Sequence, residues 1–352
     1  MLIKQHTRFP IRQMVTIGIL PTPIKNFYYR ARGANFGENV SIGIGSVIVA
    51  DEIEIGEGVS IGYGTYIRAK RIVIGSFARI GSITFIDAET IQIGEDAKIS
   101  EQVFIGGLSS QESHFWLGAR TTIMQHTFIN VARPVTIGND TGIGGKCTIF
   151  THGSWQNMLD GYPVSFAPVT IGKNVWLPWQ VFIMPGVTIG DGATIGASSL
   201  VTKDVPDGCL AVGSPAQVIR ASDQYPKQPE LPEQVEMLRN MIREFCEYLE
   251  HSHIQVTREI KEGYELVSVT DSKGRLYSLW VEYCMTLSEP SDPAHMILSL
   301  PGLSDQRRQE ANRQQQMWVD IPAKQRGGLT NPLGEEVLEF IKRYGLRFSR
   351  SK

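Results

Sequence analysis

No apolar run in this 352-residue chain approaches the roughly 18 residues that a membrane-spanning helix needs. Pro21 and Pro23 break the one N-terminal stretch that resembles a signal core, which already carries Lys4, His6, Arg8 and Arg12. Cysteine is scarce: Cys147, Cys209, Cys246 and Cys284 stand far apart without C-x-x-C spacing, so free thiols are expected rather than a disulfide framework. These absences lead to the expectation of a soluble, cytoplasmic protein. A surplus of charge is missing too. A formal net charge of -2 gives no general pull toward nucleic acid or an anionic membrane, so an anionic ligand has to be held by a local cluster.

What the chain has in quantity is Ile-Gly. The pair recurs at Ile42, Ile55, Ile61, Ile74, Ile80, Ile93, Ile105, Ile137, Ile143, Ile171, Ile189 and Ile195. Ile55 and Ile61, Ile74 and Ile80, Ile137 and Ile143, and Ile189 and Ile195 are each 6 apart, while Ile55 to Ile74 and Ile61 to Ile80 span 19. Spacings of this kind describe three six-residue units per turn of a solenoid, and neither a helix nor a hairpin series produces them. Each unit supplies one short strand that turns Ile or Val inward, and glycine is expected to relieve the corner.

The repeat breaks twice, from Gly106 to Trp116 and from Gly153 to Pro168. Loops that interrupt a regular solenoid are where function concentrates. After Arg220 the prolines Pro226, Pro229 and Pro232 mark a linker. The reading is an N-terminal segment over 1–35, a β-solenoid over 36–222, and a linker with a small α+β domain over 223–352. In that last part Leu238, Met241, Ile242, Phe245 and Leu249 share a helix face. Leu266 to Val269 and Leu276 to Tyr283 flank the turn Asp271-Ser272-Lys273-Gly274, and Val337, Phe340 and Ile341 form a helix closed by Gly345. It holds no catalytic motif. His251 and His253 read as a solvated helix end rather than a metal site.

His152 stands where the second break begins and is the candidate general base, since an acceptor hydroxyl needs a group that titrates near neutrality. Downstream the chain reads Val169-Thr170-Ile171-Gly172-Lys173-Asn174-Val175-Trp176, Pro185-Gly186-Val187-Thr188-Ile189-Gly190, Ala197-Ser198-Ser199-Leu200-Val201-Thr202-Lys203-Asp204-Val205-Pro206 and Gly213-Ser214-Pro215-Ala216. From Phe36 to Arg220 this resembles the hexapeptide-repeat acyltransferases, particularly the galactoside and maltose O-acetyltransferases and the surface-polysaccharide O-acetyltransferases. The resemblance implies a mainly β protein, a left-handed parallel β-helix; that hand rests on the resemblance alone, because parallel crossovers are otherwise right-handed. It further implies a homotrimer with active sites between subunits, acetyl-CoA or another acyl-CoA as co-substrate, and a sugar, nucleotide-sugar or glycan acceptor.

By the same resemblance His152 is the base, while Trp176, Ala197, Ser199, the Thr202-Lys203 turn and Arg220 hold coenzyme A, whose phosphates suit cations beside tight turns. Trp176-Leu177-Pro178-Trp179 departs from the family, which usually has a glycine and a small residue there, so Trp179 narrows the groove or stacks on the acceptor. Asn130 resembles an acceptor-binding asparagine; His126 and Glu101 are weighed with it. In the long loop Trp155, Asp160 and Tyr162 suit a polyhydroxylated ligand.

Three other readings compete. N-acylation of an amino sugar is the first. A zinc enzyme on the same solenoid needs three converging histidines, with His114 and His126 as the further partners of His152, and no metal is expected. A non-catalytic scaffold needs neither His152 nor the Thr-Lys-Asp-Val-Pro turn.

Overall fold

The computed structural model describes residues 11–108, 110–261, 263–284 and 294–351; Lys4, His6 and Arg8 lie outside them. The chain divides into two compact units, 1–227 and 228–352.

The first unit is a three-sided parallel β-helix. One face runs in chain order from Asn35–Phe36 to Thr188–Ile189, the second from Ser41–Ile42 to Thr194–Ile195, and the third from Val47–Val49 to Leu200–Val201, every strand pairing with its equivalents one coil away. Inward Ile, Val and Leu side chains form one continuous core along the axis, with Ile67, Ile86, Ile105, Ile129, Ile149 and Ile183 among those fully buried.

The repeat glycines act differently from the sequence expectation. A Cβ on Gly56 would lie 2.5 Å from the Ser76 nitrogen, and one on Gly75 would lie 2.6 Å from the Glu95 nitrogen. Close approach of the next coil is therefore what excludes a side chain there. The left-handed corner conformation falls two residues later, at positions such as Gly64, Ile83, Gln102, His126 and Lys146.

The helix Thr22–Ala31 covers the starting edge of the solenoid. Thr22, Lys25, Asn26 and Arg30 share one helix face and donate hydrogen bonds to carbonyls of Ile42, Gly43 and Ser46, Val40, and Phe36 and Gly37 respectively.

The second unit opens with the helix Leu231–His251, started by a capping box between Glu230 and Glu233. A seven-stranded sheet follows, in which Leu276–Glu282, Met296–Ser299 and Met317–Asp320 pair parallel in succession, Gln325–Gly328 and Ser349–Arg350 pair parallel at one edge, and the other pairs are antiparallel. Leu238, Met241, Ile242, Phe245 and Leu249 are buried with Val337, Phe340 and Ile341 of the helix Pro332–Ile341 in one core. A second core gathers Trp280, Ile297, Leu303, Ala311 and Trp318. The hairpin around Asp271 forms as expected, and Gly345 takes the left-handed closing position.

Candidate active site

Three strands of the third face, Phe104–Gly106, Phe128–Asn130 and Thr148–Ile149, lead to one corner of the solenoid, where both interruptions of the repeat leave it. Past the last of them, His152–Gly153 pairs antiparallel with Ser165–Phe166, which clamps the base of the long loop. His152 is half-buried. Its ring stacks on Phe166 at 5.6 Å between centroids and meets Phe150 edge-on at 6.0 Å.

The Nδ1 of His152 lies 2.9 Å from Oδ1 of Asn130. That oxygen also accepts the backbone N-H of Ala132 at 3.1 Å, which fixes the amide orientation. An oxygen has no proton to give, so Nδ1 carries the proton and Nε2 presents its lone pair outward. Asn130 is 2% exposed. It therefore sits beneath the histidine, and Thr151, fully buried, ties the two coils together by donating to Asn130 and accepting the Arg133 N-H.

The first interruption holds this floor in place. Ser113 donates to the Val131 carbonyl at 2.6 Å, Ser110 to that of Ala132 at 3.1 Å, and Glu112 pairs with Arg133 at 3.0 Å. The Arg133 guanidinium in turn lies 5.2 Å from the Phe166 ring centroid. Gly107 sits against Asn130: a Cβ there would come 2.1 Å from Nδ2, and its φ of +142° is one that side chains rarely adopt. Gly107, Arg133 and Phe166 were not singled out in the sequence. The register could have found Gly107 and Arg133, which follow the third-face strands Phe104–Gly106 and Phe128–Asn130, whereas Phe166 belongs to the long loop's own strand pair.

The remaining candidates spread over the solenoid. Thr202 and Lys203 are exposed and follow Leu200–Val201, two strands beyond Thr148–Ile149 on the same face, so they share the corner of His152 at about 10 Å along the axis. Trp176 and Arg220 belong to the second face, both exposed. Trp179 and Ala197 lie at the corner between the second and third faces, where the Trp179 carbonyl accepts the Ser198 N-H at 3.0 Å.

The two tryptophans rest on glycines of the coil below, because a Cβ on Gly142 would be 2.6 Å from the Trp176 indole and one on Gly145 2.4 Å from that of Trp179. Ser199 is buried and accepts the Gly213 N-H. His126 and Glu101 are exposed at that second corner, away from His152 in their own coils. Trp155, Asp160 and Tyr162 are all exposed on the long loop, Trp155 almost completely at 99%.

Among the described residues no three His, Cys, Asp or Glu side chains converge as metal ligands. His114 is on the first face, bonded to Thr90 at 2.6 Å. No helix among those residues is long and apolar enough to cross a membrane.

Residues 168–203 match the family described as bacterial transferase hexapeptide (six repeats). The solenoid is a hexapeptide-repeat β-helix. Among relatives of the hexapeptide-repeat segment is the galactoside O-acetyltransferase of Escherichia coli, 46% identical over 89 residues, which are 24% of this chain and 43% of that protein. The chain spans less than half the length of the curated relatives it matches first.

Two solved structures are also similar. One is a galactoside acetyltransferase in complex with coenzyme A, at 23% identity and a TM-score of 0.27, covering 62% of this chain and 84% of that one. The other is a UDP-N-acetylglucosamine acyltransferase from Campylobacter jejuni, at 19% identity and a TM-score of 0.39, covering 59% of this chain and 86% of that one. At such scores no detail of the site is carried across.

Proposed function

We propose that the hexapeptide-repeat unit is an O-acyltransferase that moves an acetyl or similar acyl group from coenzyme A directly to a hydroxyl of a sugar-type acceptor. The observation that carries this reading is the Asn130 oxygen under His152, which leaves Nε2 as a positioned base. Nε2 takes the hydroxyl proton as the acceptor oxygen attacks the thioester carbonyl; the carbon-sulfur bond then breaks, and the departing thiolate recovers the proton. A covalent acyl-enzyme is not invoked, since Cys147 and Cys209, the cysteines of this unit, are both buried.

Lys203 and Thr202 on the same corner, with Arg220, Trp176 and Trp179, suit a donor whose nucleotide end lies away from the reacting carbonyl. A sugar acceptor is supported by the named activity of the Escherichia coli relative. The exposed Trp155, Met158 and Leu159 of the long loop favour a site completed by a neighbouring copy in a homotrimer.

The test is release of free coenzyme A from acyl-CoA in the presence of free sugars, nucleotide sugars and glycans, with ester and amide products distinguished by mass and alkaline lability. His152→Ala should lower turnover by on the order of 10² to 10⁴ with donor affinity kept. Near wild-type transfer by a folded His152→Ala protein would remove His152 as the base, and an amide product would replace O-transfer by N-transfer.

A further inference from the structure

We propose that the outward side of the segment capping the solenoid, Ile11 to Ala31, docks on an anionic lipid surface. An ordinary surface helix turns its apolar stripe to the core and its polar side to water. The helix Thr22–Ala31 does the reverse. The open edge of the first coil offers it backbone carbonyls, and Thr22, Lys25, Asn26 and Arg30 turn inward to satisfy them. Tyr29 joins them by accepting the Ile48 N-H at 2.9 Å.

Ile24 and Phe27, three residues apart on the other side, are left 50% and 74% exposed. Ile11, Val15 and Ile19 recur every fourth residue through the helix Ile11–Thr16 and the turn after it, and they are 68%, 59% and 59% exposed. None of these five belongs to the solenoid core, against which Ile17, Tyr28 and Tyr29 of the same segment pack. A single exposed apolar side chain means little, whereas a cluster on one element marks an interaction surface.

The charge of the segment selects the partner. Residues 1–37 contain six Lys and Arg and no Asp or Glu, while the whole chain has 34 and 36. Lys25 is turned inward, but Arg12, Arg30 and Arg32 are exposed. Arg30 donates to neutral carbonyls of Phe36 and Gly37, and Arg32 lies 5.6 Å from the Tyr28 ring centroid, so both keep their charge. Acids begin at Glu38 and belong to the coils, where Glu52 and Glu54 are paired with Arg71. A second copy docked on this face would bring the same cations against themselves. The negative surface of a bilayer accepts both the arginines and the apolar side chains. Val47–Val49 and Thr148–Ile149 are five coil steps apart on the third face, so the capped edge lies about 24 Å along the axis from the corner of His152, and docking leaves that corner open.

The full chain is sedimented with vesicles of phosphatidylcholine alone and of phosphatidylcholine with phosphatidylglycerol, and its solution mass is measured by analytical ultracentrifugation. The wild type should bind the anionic vesicles at least about tenfold more tightly than the neutral ones, with added salt reducing the difference. Phe27→Ser should weaken binding to the anionic vesicles at least about tenfold at unchanged solution mass. Arg12→Gln combined with Arg32→Gln should remove most of the preference for anionic lipid. Circular dichroism checks the fold, and Ile24→Ser decides the matter where Phe27→Ser does not fold. No vesicle binding by the wild type, or binding indifferent to Phe27→Ser and Ile24→Ser in folded protein, overturns the proposal. So does a solution mass that falls in Phe27→Ser, which makes the face a contact between copies of the chain.

Discussion

His152 and Asn130 are joined across one coil of the solenoid, Nδ1 to Oδ1 at 2.9 Å, and the Ala132 N-H on the same oxygen dictates which imidazole nitrogen keeps its proton. In the proposed reaction, a sugar hydroxyl meeting the other nitrogen would meet a base whose tautomer is already chosen. That pairing can be perturbed without touching the histidine.

Asn130→Ala should cost on the order of 10 to 10² in turnover, and Asn130→Asp should move the acid limb of the pH-rate profile to higher pH, because a carboxylate beside the ring favours the imidazolium. Gly107→Ala should resemble Asn130→Ala, since its Cβ would press on Nδ2 at 2.1 Å. Donor affinity should hold in all three. An unmoved pH profile in Asn130→Asp would show that Asn130 serves packing alone.

Lys203→Ala and Arg220→Ala should raise the KM for acyl-CoA several-fold while leaving turnover at saturation nearly intact, as expected of groups on the distant nucleotide end. Added salt should reproduce part of the effect. Unchanged donor binding in both variants would take these residues out of the site.

Lys25 is fully buried, with Nζ donating to the Gly43 and Ser46 carbonyls at 2.6 and 3.0 Å. Lys25→Met takes the lysine donor from the Ser46 carbonyl and leaves that of Gly43 with the Ser46 N-H at 3.2 Å, and should cost about 1–3 kcal/mol by urea unfolding. Burial holds this ammonium below its ordinary 10.5. Between the lowered value and 10.5 the unfolded chain binds more protons than the folded one, so the Lys25 contribution grows as pH rises through that window. A wild-type advantage that shrinks with rising pH would contradict the buried placement.

Iodoacetamide at pH 8 should label Cys284, which is exposed, and spare the buried cysteines. Loss of solvent pushes the Cys147 thiol up to about 11 and that of Cys246 to about 12, so little thiolate is present to react. Peptide mapping that finds Cys147 or Cys246 alkylated as fast as Cys284 in the folded protein would refute this.

By itself the sequence determined the solenoid. Spacings of 6 and 19 between Ile-Gly pairs fit a coil in which the isoleucines at those spacings, Ile55, Ile61, Ile74 and Ile80 among them, point inward, and the helix face of Leu238 to Leu249 and the hairpin at Asp271 follow equally local rules. The position of His152 at the loop root was legible for the same reason: a break in a period is visible along the chain. What tertiary structure decided is whatever depends on coils lying above one another.

Asn130 and His152 are 22 residues apart and meet because the chain turns once between them. The glycines under Trp176 and Trp179, and the close backbone approach that excludes side chains from the repeat, are contacts between coils rather than properties of a six-residue unit. Local periodicity sets where strands form, while register between coils and strands decides which side chains face each other, and chemistry depends on the second.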